Sequence, residues 1–348
     1  METTQQPFAR LTATQLCERL CALARQHSQA VILFHARPDG DAVGSAFALR
    51  GILEQLGMSA FCLCADEVPK RLRFISEPWQ TSVAQDSLSD TLFDENVPVI
   101  SVDTASPSQM GALAQDWLPR VQLMIDHHES GTPYADGWID PQAAATGEMI
   151  FEIGEMLTAQ GVIDAVPHAV DVAMYAAISS DTGSFRYTNV TGKTFSVAAG
   201  LRERGVDTAQ ISHALFESKP YSQLLAESVG FAAMQRWLDG RVAVIPFTYE
   251  MKRQHAFCDE DLETLVDVAR MVEGVEVVLS IRQPGEEGRY RVSTRSSGAF
   301  CVSPLCARFG GGGHAKAAGC TIMASSMDEV LSQLKEALDA ELSAQNLD

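Results

Sequence analysis

The sequence predicts an α/β chain in two domains, the first built on a mostly parallel sheet with helices on both faces. Three observations carry that expectation. Short, continuously apolar runs alternate with stretches of helical spacing through the first half, the pattern of βαβ units. Several of these runs end in acids and histidines, at the strand ends where an open parallel sheet places its ligand crevice. Beyond about residue 230 a second set of apolar runs begins, and 348 residues suffice for two domains of ordinary size.

In chain order, residues 11–26 have helical spacing, with Thr12 or Thr14 as the cap. The run 30–34 is a strand ending in His35-Ala36-Arg37-Pro38-Asp39-Gly40-Asp41, and small residues from Ala42 make a helix that closes near Gly57. A strand follows at 59–64. The strand 97–102 ends in Asp103-Thr104-Ala105, and the strand 121–125 ends in Asp126-His127-His128-Glu129. Helices follow over 143–159 and 170–178, the second leading into Ser179-Ser180-Asp181-Thr182-Gly183. The expected boundaries are 1–190 for the first domain, 191–230 for a helical linker broken at Lys219-Pro220, and 231–348 for the second domain. That domain has strands at 241–247, 275–281 and 290–296, a helix-like stretch at 261–273, the run Gly310-Gly311-Gly312-Gly313-His314, and a closing helix from Met327.

Composition narrows the function classes. Hydrophobic content of 46% and charged content of 20% are those of a soluble globular protein. A formal charge of −19 repels a long polyanion, so a nucleic-acid ligand must be short and held by a local basic pocket. Met1-Glu2-Thr3-Thr4-Gln5-Gln6-Pro7 has neither a basic nor an apolar signal region, and no apolar run is long enough to span a membrane. The eight cysteines form no Cys-x-x-Cys pair and read as reduced thiols, so the expected compartment is the cytoplasm.

The candidate chemistry sits in four places: His35, Asp39 and Asp41; Asp103; Asp126, His127 and His128; and Asp181. Singly, each has an ordinary reading. An Asp after a strand is often an N-cap, Asp41 suits the helix from Ala42, and His35 suits a structural histidine. As a set at strand ends or loops they read as metal ligands. Carboxylate with imidazole suits Mn²⁺, Mg²⁺, Fe²⁺ or Co²⁺, and the lack of a cysteine cluster argues against structural zinc. An acid bridging two ions would build a two-metal clamp for phosphoryl chemistry. The glycine run lets backbone approach a phosphate closely, or is simply a flexible loop.

Taken together, His35-x-x-x-Asp39-x-Asp41, Val102-Asp103-Thr104, Asp126-His127-His128 and Asp181-Thr182-Gly183 resemble the four ordered motifs of the DHH phosphoesterase superfamily. The Gly-Gly-Gly-Gly-His run with its trailing Ala317-Ala318-Gly319 is similar to the DHH-associated substrate-binding domain. Asp181-Thr182-Gly183-Ser184-Phe185-Arg186-Tyr187 is most like the nanoRNase/pAp-phosphatase (NrnA-type) group.

The resemblance implies two Mn²⁺ ions, with Mg²⁺ or Co²⁺ as substitutes. It places His35 and Asp39 on one ion, Asp41, His127 and Asp181 on the other, and Asp103 between them. Asp126 orients the site and His128 faces the scissile phosphate. Arg295 and His314 hold the substrate's terminal phosphate or nucleotide, with Ser296, Gly312 and Gly313 beside them. Arg186 and Lys316 are further candidates, for which a surface ion pair and a solvated lysine are equal alternatives.

The implied enzyme cleaves very short RNA to 5′-mononucleotides, removes the 3′-phosphate of pAp, has its active site in the cleft between its domains, and forms a homodimer as its relatives do. A soluble phosphodiesterase for cyclic di-AMP or pApA would use the same residues and is the runner-up. A non-catalytic nucleotide sensor is a third reading, disfavoured because every ligand is present.

Overall fold

The computed structural model of the chain describes residues 8–285, 287–313 and 315–345. They fall into two units, Met1–Ser218 and Lys219–Asp348.

The first unit is organised by five parallel strands, β1 (Gln29–Leu33), β2 (Ser59–Leu63), β3 (Val99–Val102), β4 (Val121–Asp126) and β5 (Asp136–Ile139), in the order β2-β1-β3-β4-β5. Alternation along β1 divides the core. Ala30 and Ile32 face one layer and Val31 and Leu33 the other, all four fully buried. Four long helices line the first layer: α1 (Ala13–Gln26), α2 (Gly40–Gln55), α3 (Thr146–Ala159) and α4 (His168–Asp181). The second layer is covered by helical turns at Pro107–Leu113, Ala114–Trp117 and Leu118–Arg120, which bury Met110, Leu113 and Trp117.

Thr12 caps α1 through a capping box with Gln15. Asp39, rather than Asp41, caps α2, so this helix starts two residues before the expected Ala42. Two glycines let α2, α3 and α4 meet closely. A Cβ on Gly44 of α2 would lie 2.5 Å from the Ala173 carbonyl and 2.7 Å from the Ala177 methyl of α4. One on Gly147 of α3 would lie 2.4 Å from that same methyl. Ala177 therefore sits in a notch made by both glycines, bringing the start of α2 and the start of α3 against α4. Helices α5 (Gly192–Glu203) and α6 (Thr208–Ser212) add Val197, Leu201 and Ile211 to this core.

The second unit begins with α7 (Tyr221–Ala232), whose Ala226 packs into a separate core. The stretch 191–230, expected as one linker, is thus divided between the units by which core its apolar residues enter. The second sheet is mixed, in the order β10-β11-β9-β8-β7-β6. Its strands are β6 (Gln235–Trp237), β7 (Val242–Phe247), β8 (Val277–Arg282), β9 (Arg289–Ser296), β10 (Gly312–Gly313) and β11 (Ala317–Met323). Pro246 lies in β7 beyond Val244, where pairing with β6 ends, so its missing N–H takes no ladder bond from that side. Helices α8 (Tyr249–His255) and α9 (Leu265–Ala269) join Leu262 near one face, while α10 (Val302–Ala307) and α11 (Met327–Ala344) bury Leu305, Val330, Leu334 and Leu338 on the other.

Candidate metal centre

The strand order of the first sheet reverses between β1 and β3, and such a switch point opens a crevice at the carboxyl ends of the strands. His35 follows β1, Asp103 follows β3, Asp126 ends β4, and His127 and His128 come next. The start of α2 adds Asp39 and Asp41. Asp181 differs from the expected strand end or loop: it is the last residue of α4, brought in because α4 packs against α2.

The donor atoms gather into two groups, His35/Asp39/Asp103 and Asp41/His127/Asp181, with a third combination of Asp103, His127 and His128. His35 Nε2 is 3.7 Å from Asp39 Oδ1 and 3.7 Å from Asp103 Oδ2. His127 Nε2 is 3.3 Å from Asp181 Oδ2, 3.7 Å from Asp41 Oδ2 and 3.8 Å from Asp103 Oδ1. Asp103 therefore turns one oxygen toward each group. Donors bound octahedrally at about 2.1 Å are about 3 Å apart, so these separations suit ligands of a common hard ion.

Backbone bonds fix the imidazoles in the form a metal needs. His35 Nδ1 donates to the Ala36 carbonyl at 2.9 Å and His127 Nδ1 to the Ala143 carbonyl at 3.2 Å. A carbonyl only accepts, so each ring keeps its proton on Nδ1 and turns Nε2 toward the acids. Asp103 has a left-handed backbone with φ 50°, held by its amide's 2.9 Å bond to the Ile125 carbonyl.

The charge also fits cations. Asp41, Asp103 and Asp126 are buried, and among the described residues their ion-pair partners are histidines alone. Burial, then Asp41, Asp39, Asp126 and Asp181, pushes the Asp103 carboxyl well above the usual carboxylate range. Burial with Asp41 and Asp39 pushes Asp181 up to about 8. Acids strained this way are what bound divalent ions relieve.

Asp126 is outside all three groups. Its Oδ1 accepts the His128 amide at 2.8 Å and His128 Nδ1 at 2.7 Å. Asp41 is held as firmly: Oδ1 accepts from Ser45 Oγ at 2.8 Å and the Gly147 amide at 2.9 Å, and Oδ2 accepts the Thr146 amide at 2.7 Å. Thr146 Oγ1 donates to Asp103 Oδ1 at 3.0 Å. Asn189 Nδ2 ties the Ala144 and Asp181 carbonyls together at 2.9 and 3.2 Å. Thr146 and Asn189 escape a reading from sequence; the one signal for Thr146 is a lone hydroxyl after three alanines.

The expected substrate residues have mixed placements. Arg186 Nε donates to the Gly183 carbonyl at 2.6 Å, and its guanidinium lies 6.0 Å from the Phe216 ring. In the second unit, Arg295 Nε is 3.2 Å from Asp267, and Lys316 Nζ bonds the Gly298 carbonyl. Ser296 is buried with an unpartnered Oγ, while its amide bonds the Lys316 carbonyl at 3.0 Å. Gly312 and Gly313 form β10 against Gly319 and Ala318. Close approach explains part of the glycine run, since a Cβ on Gly311 would lie 2.2 Å from the Gly319 carbonyl. His314 lies outside the described residues.

Comparison with known proteins covers most of the chain. Residues 29–178 match the DHH family N-terminal domain and residues 242–340 the DHHA1 domain. A Thermus thermophilus protein named bifunctional oligoribonuclease and PAP phosphatase NrnA is 29% identical over 313 residues, 89% of this chain and 89% of that one. The cyclic-di-AMP phosphodiesterase GdpP of Geobacillus thermodenitrificans is 25% identical over 94% of this chain, which spans 50% of that protein. In fold, the chain is similar to the crystal structure of an exopolyphosphatase-related protein from Bacteroides fragilis, with a TM-score of 0.86 and 21% identity over 97% of this chain and 100% of that one.

Proposed function

Because this chain belongs to the DHH family, with a DHH domain followed by a DHHA1 domain, we propose that it is a phosphoesterase with two activities. It hydrolyses short oligoribonucleotides to 5′-mononucleotides and removes the 3′-phosphate of pAp. The observation that carries this reading is the pair of donor groups with Asp103 between them, one oxygen 3.7 Å from His35 Nε2 and the other 3.8 Å from His127 Nε2. The relatives named for both activities support the substrate class.

Both activities break the same bond. Water adds oxygen to phosphorus, the bond to the 3′-oxygen breaks, and that oxygen takes up a proton. In this reading His35 and Asp39 would hold one Mn²⁺, Asp41, His127 and Asp181 would hold the other, and Asp103 would serve both. Mg²⁺ or Co²⁺ suits the same donors. Two such ions supply positive charge to the phosphoryl oxygens and make an attacking water more acidic.

The chain's own residues do the remaining work. Asp126 Oδ1 fixes the His128 ring through Nδ1, leaving Nε2 to meet a phosphoryl oxygen or hand a proton to the leaving 3′-oxygen. The Asp126 bond raises the His128 pKa above the ordinary imidazole value. Arg295, Ser296, Gly312, Gly313, His314 and Lys316 are proposed to grip the substrate end, with Arg186 assisting. A net charge of −19 favours short substrates held by such a local site.

No described helix is long and apolar enough to cross a membrane. Eight free thiols support a reducing compartment, the cytoplasm.

The test is a side-by-side rate measurement with Mn²⁺ on pAp, pApA, a longer RNA and cyclic di-AMP. Turnover of pAp and pApA is expected, with the longer RNA slow. Cleavage of cyclic di-AMP ahead of both would favour the runner-up phosphodiesterase. Intact pAp and pApA with Mn²⁺ bound would overturn the proposal.

A further inference from the structure

Thr146 carries a hydroxyl one position past the N-cap, where such a group would serve the helix itself. It is the first residue of α3, whose N-cap is Ala145 with no side-chain cap bond. The Thr146 hydroxyl turns away from the helix and donates to Asp103 Oδ1 at 3.0 Å, across 43 positions of sequence. The two amides that open α3, Thr146 and Gly147, are capped by both oxygens of Asp41 at 2.7 and 2.9 Å. Thr146 is thus bonded to a candidate ligand of one group through its backbone and to the shared ligand through its side chain. It is fully buried, so water cannot stand in for either bond.

We infer that Thr146 is a positioning residue that holds the Asp103 carboxylate in its bridging orientation; this rests on the two-ion reading above. Asp103 Oδ2 lies 3.7 Å from His35 Nε2, and Oδ1 lies 3.8 Å from His127 Nε2. A carboxylate can instead turn about its Cβ–Cγ bond and offer both oxygens to one ion. The Thr146 hydroxyl occupies one lone pair of Oδ1 and fixes the plane, so each oxygen keeps a lone pair for its own group. The turn that carries Thr146 is anchored in return. Asn189 holds the Ala144 carbonyl, the Ala143 carbonyl holds His127, and Glu148 Oε2 accepts the Thr194 hydroxyl at 2.9 Å.

Thr146→Val removes the hydroxyl, keeps the shape and leaves the backbone bonds to Asp41. Mn²⁺ titration followed by electron paramagnetic resonance reads both stoichiometry and the spin coupling of a bridged pair. The wild type should take up two coupled Mn²⁺. Thr146→Val should bind one normally and the second roughly 10–100-fold more weakly, the usual cost of losing a bond to a ligating group. Its coupled signal should be lost, kcat on pApA lowered and KM little changed. Thr146→Ser should restore all of these.

Two coupled ions at wild-type affinity in Thr146→Val would overturn the inference, even if its melting temperature fell. If Thr146→Val does not fold, the smaller Thr146→Ala carries the same expectations. A wild type that binds no Mn²⁺ pair would instead overturn the two-ion reading and this inference with it.

Discussion

Asp126 holds His128 by two bonds to a single oxygen, Oδ1, which accepts the backbone amide at 2.8 Å and the ring Nδ1 at 2.7 Å. The one acid of the Asp-His-His stretch therefore faces its neighbour, and the ring it orients is left with one outward nitrogen. On the proposed reading, that arrangement separates metal binding from proton handling within three consecutive residues.

The separation is measurable. His128→Ala should lower kcat on pAp by about 10²–10⁴-fold, the range for a lost general acid or base, while two Mn²⁺ still bind. Asp126→Asn should act in the same direction, and the double variant should be little worse than the worse single one. Losses that multiply would show that the two residues act independently.

Asp103→Ala should abolish turnover and uncouple the two Mn²⁺ ions. The metal-free protein should not lose stability, because the substitution removes a buried acid surrounded by four others. Thermal melts in chelator and a discontinuous pAp assay check both halves. Residual turnover near wild type would remove Asp103 from the bridging position.

Metal-free protein should become less stable as pH rises. Asp181 is raised from 3.8 to about 8, so the folded chain keeps a proton that the unfolded chain gives up across that window. The unfolded state binds fewer protons there, and stability falls with increasing pH from 3.8 toward 8. Mn²⁺ replaces those protons, so the rise in melting temperature on adding it should grow over the same window. A melting temperature in chelator that is flat or rising with pH would contradict the charge balance described for the centre.

Gly147→Ala tests the notch around Ala177. The added methyl meets the Ala177 methyl at 2.4 Å and the Met174 carbonyl at 3.2 Å, so α3 must shift from α4. Overpacking of this kind costs about 1–3 kcal/mol. Because the Gly147 amide also bonds Asp41, Mn²⁺ affinity should fall along with stability. Loss of stability alone, measured by denaturant titration with parallel Mn²⁺ binding, would mean that the notch and the centre are not coupled.

Much of this arrangement is legible in the sequence because parallel strands buried on both faces are written as unbroken apolar runs. Strands β1, β3 and β4, with the acids and histidines at their ends, are read that way. Strand β5 is not, since Asp136-Gly137-Trp138-Ile139 is short and broken by glycine. The helical turns that cover the second layer at 107–120 are too brief to show a helical period. The helix-like stretch at 261–273 resolves into a turn at Glu260–Leu262 and the five-residue α9, because its apolar residues serve a small local core. Asp39 takes the cap of α2 that the sequence offered to Asp41, since helix starts are set by cap geometry two residues either way, and both acids stay in the donor groups. Thr146 and Asn189 act through bonds to residues distant in sequence, which no local pattern records.

The cap that Asp41 places on α3 has a consequence for any chain that lacks it. Removing that carboxylate would expose the first two amides of a second helix in a dry interior, each unpaired donor costing about 1–3 kcal/mol. An inactive form meant to hold an intact substrate in a fully folded site is therefore better made at His128 than at Asp41. Loss of His128 is expected to silence the reaction alone, whereas loss of Asp41 would also undo the helix start on which the site stands.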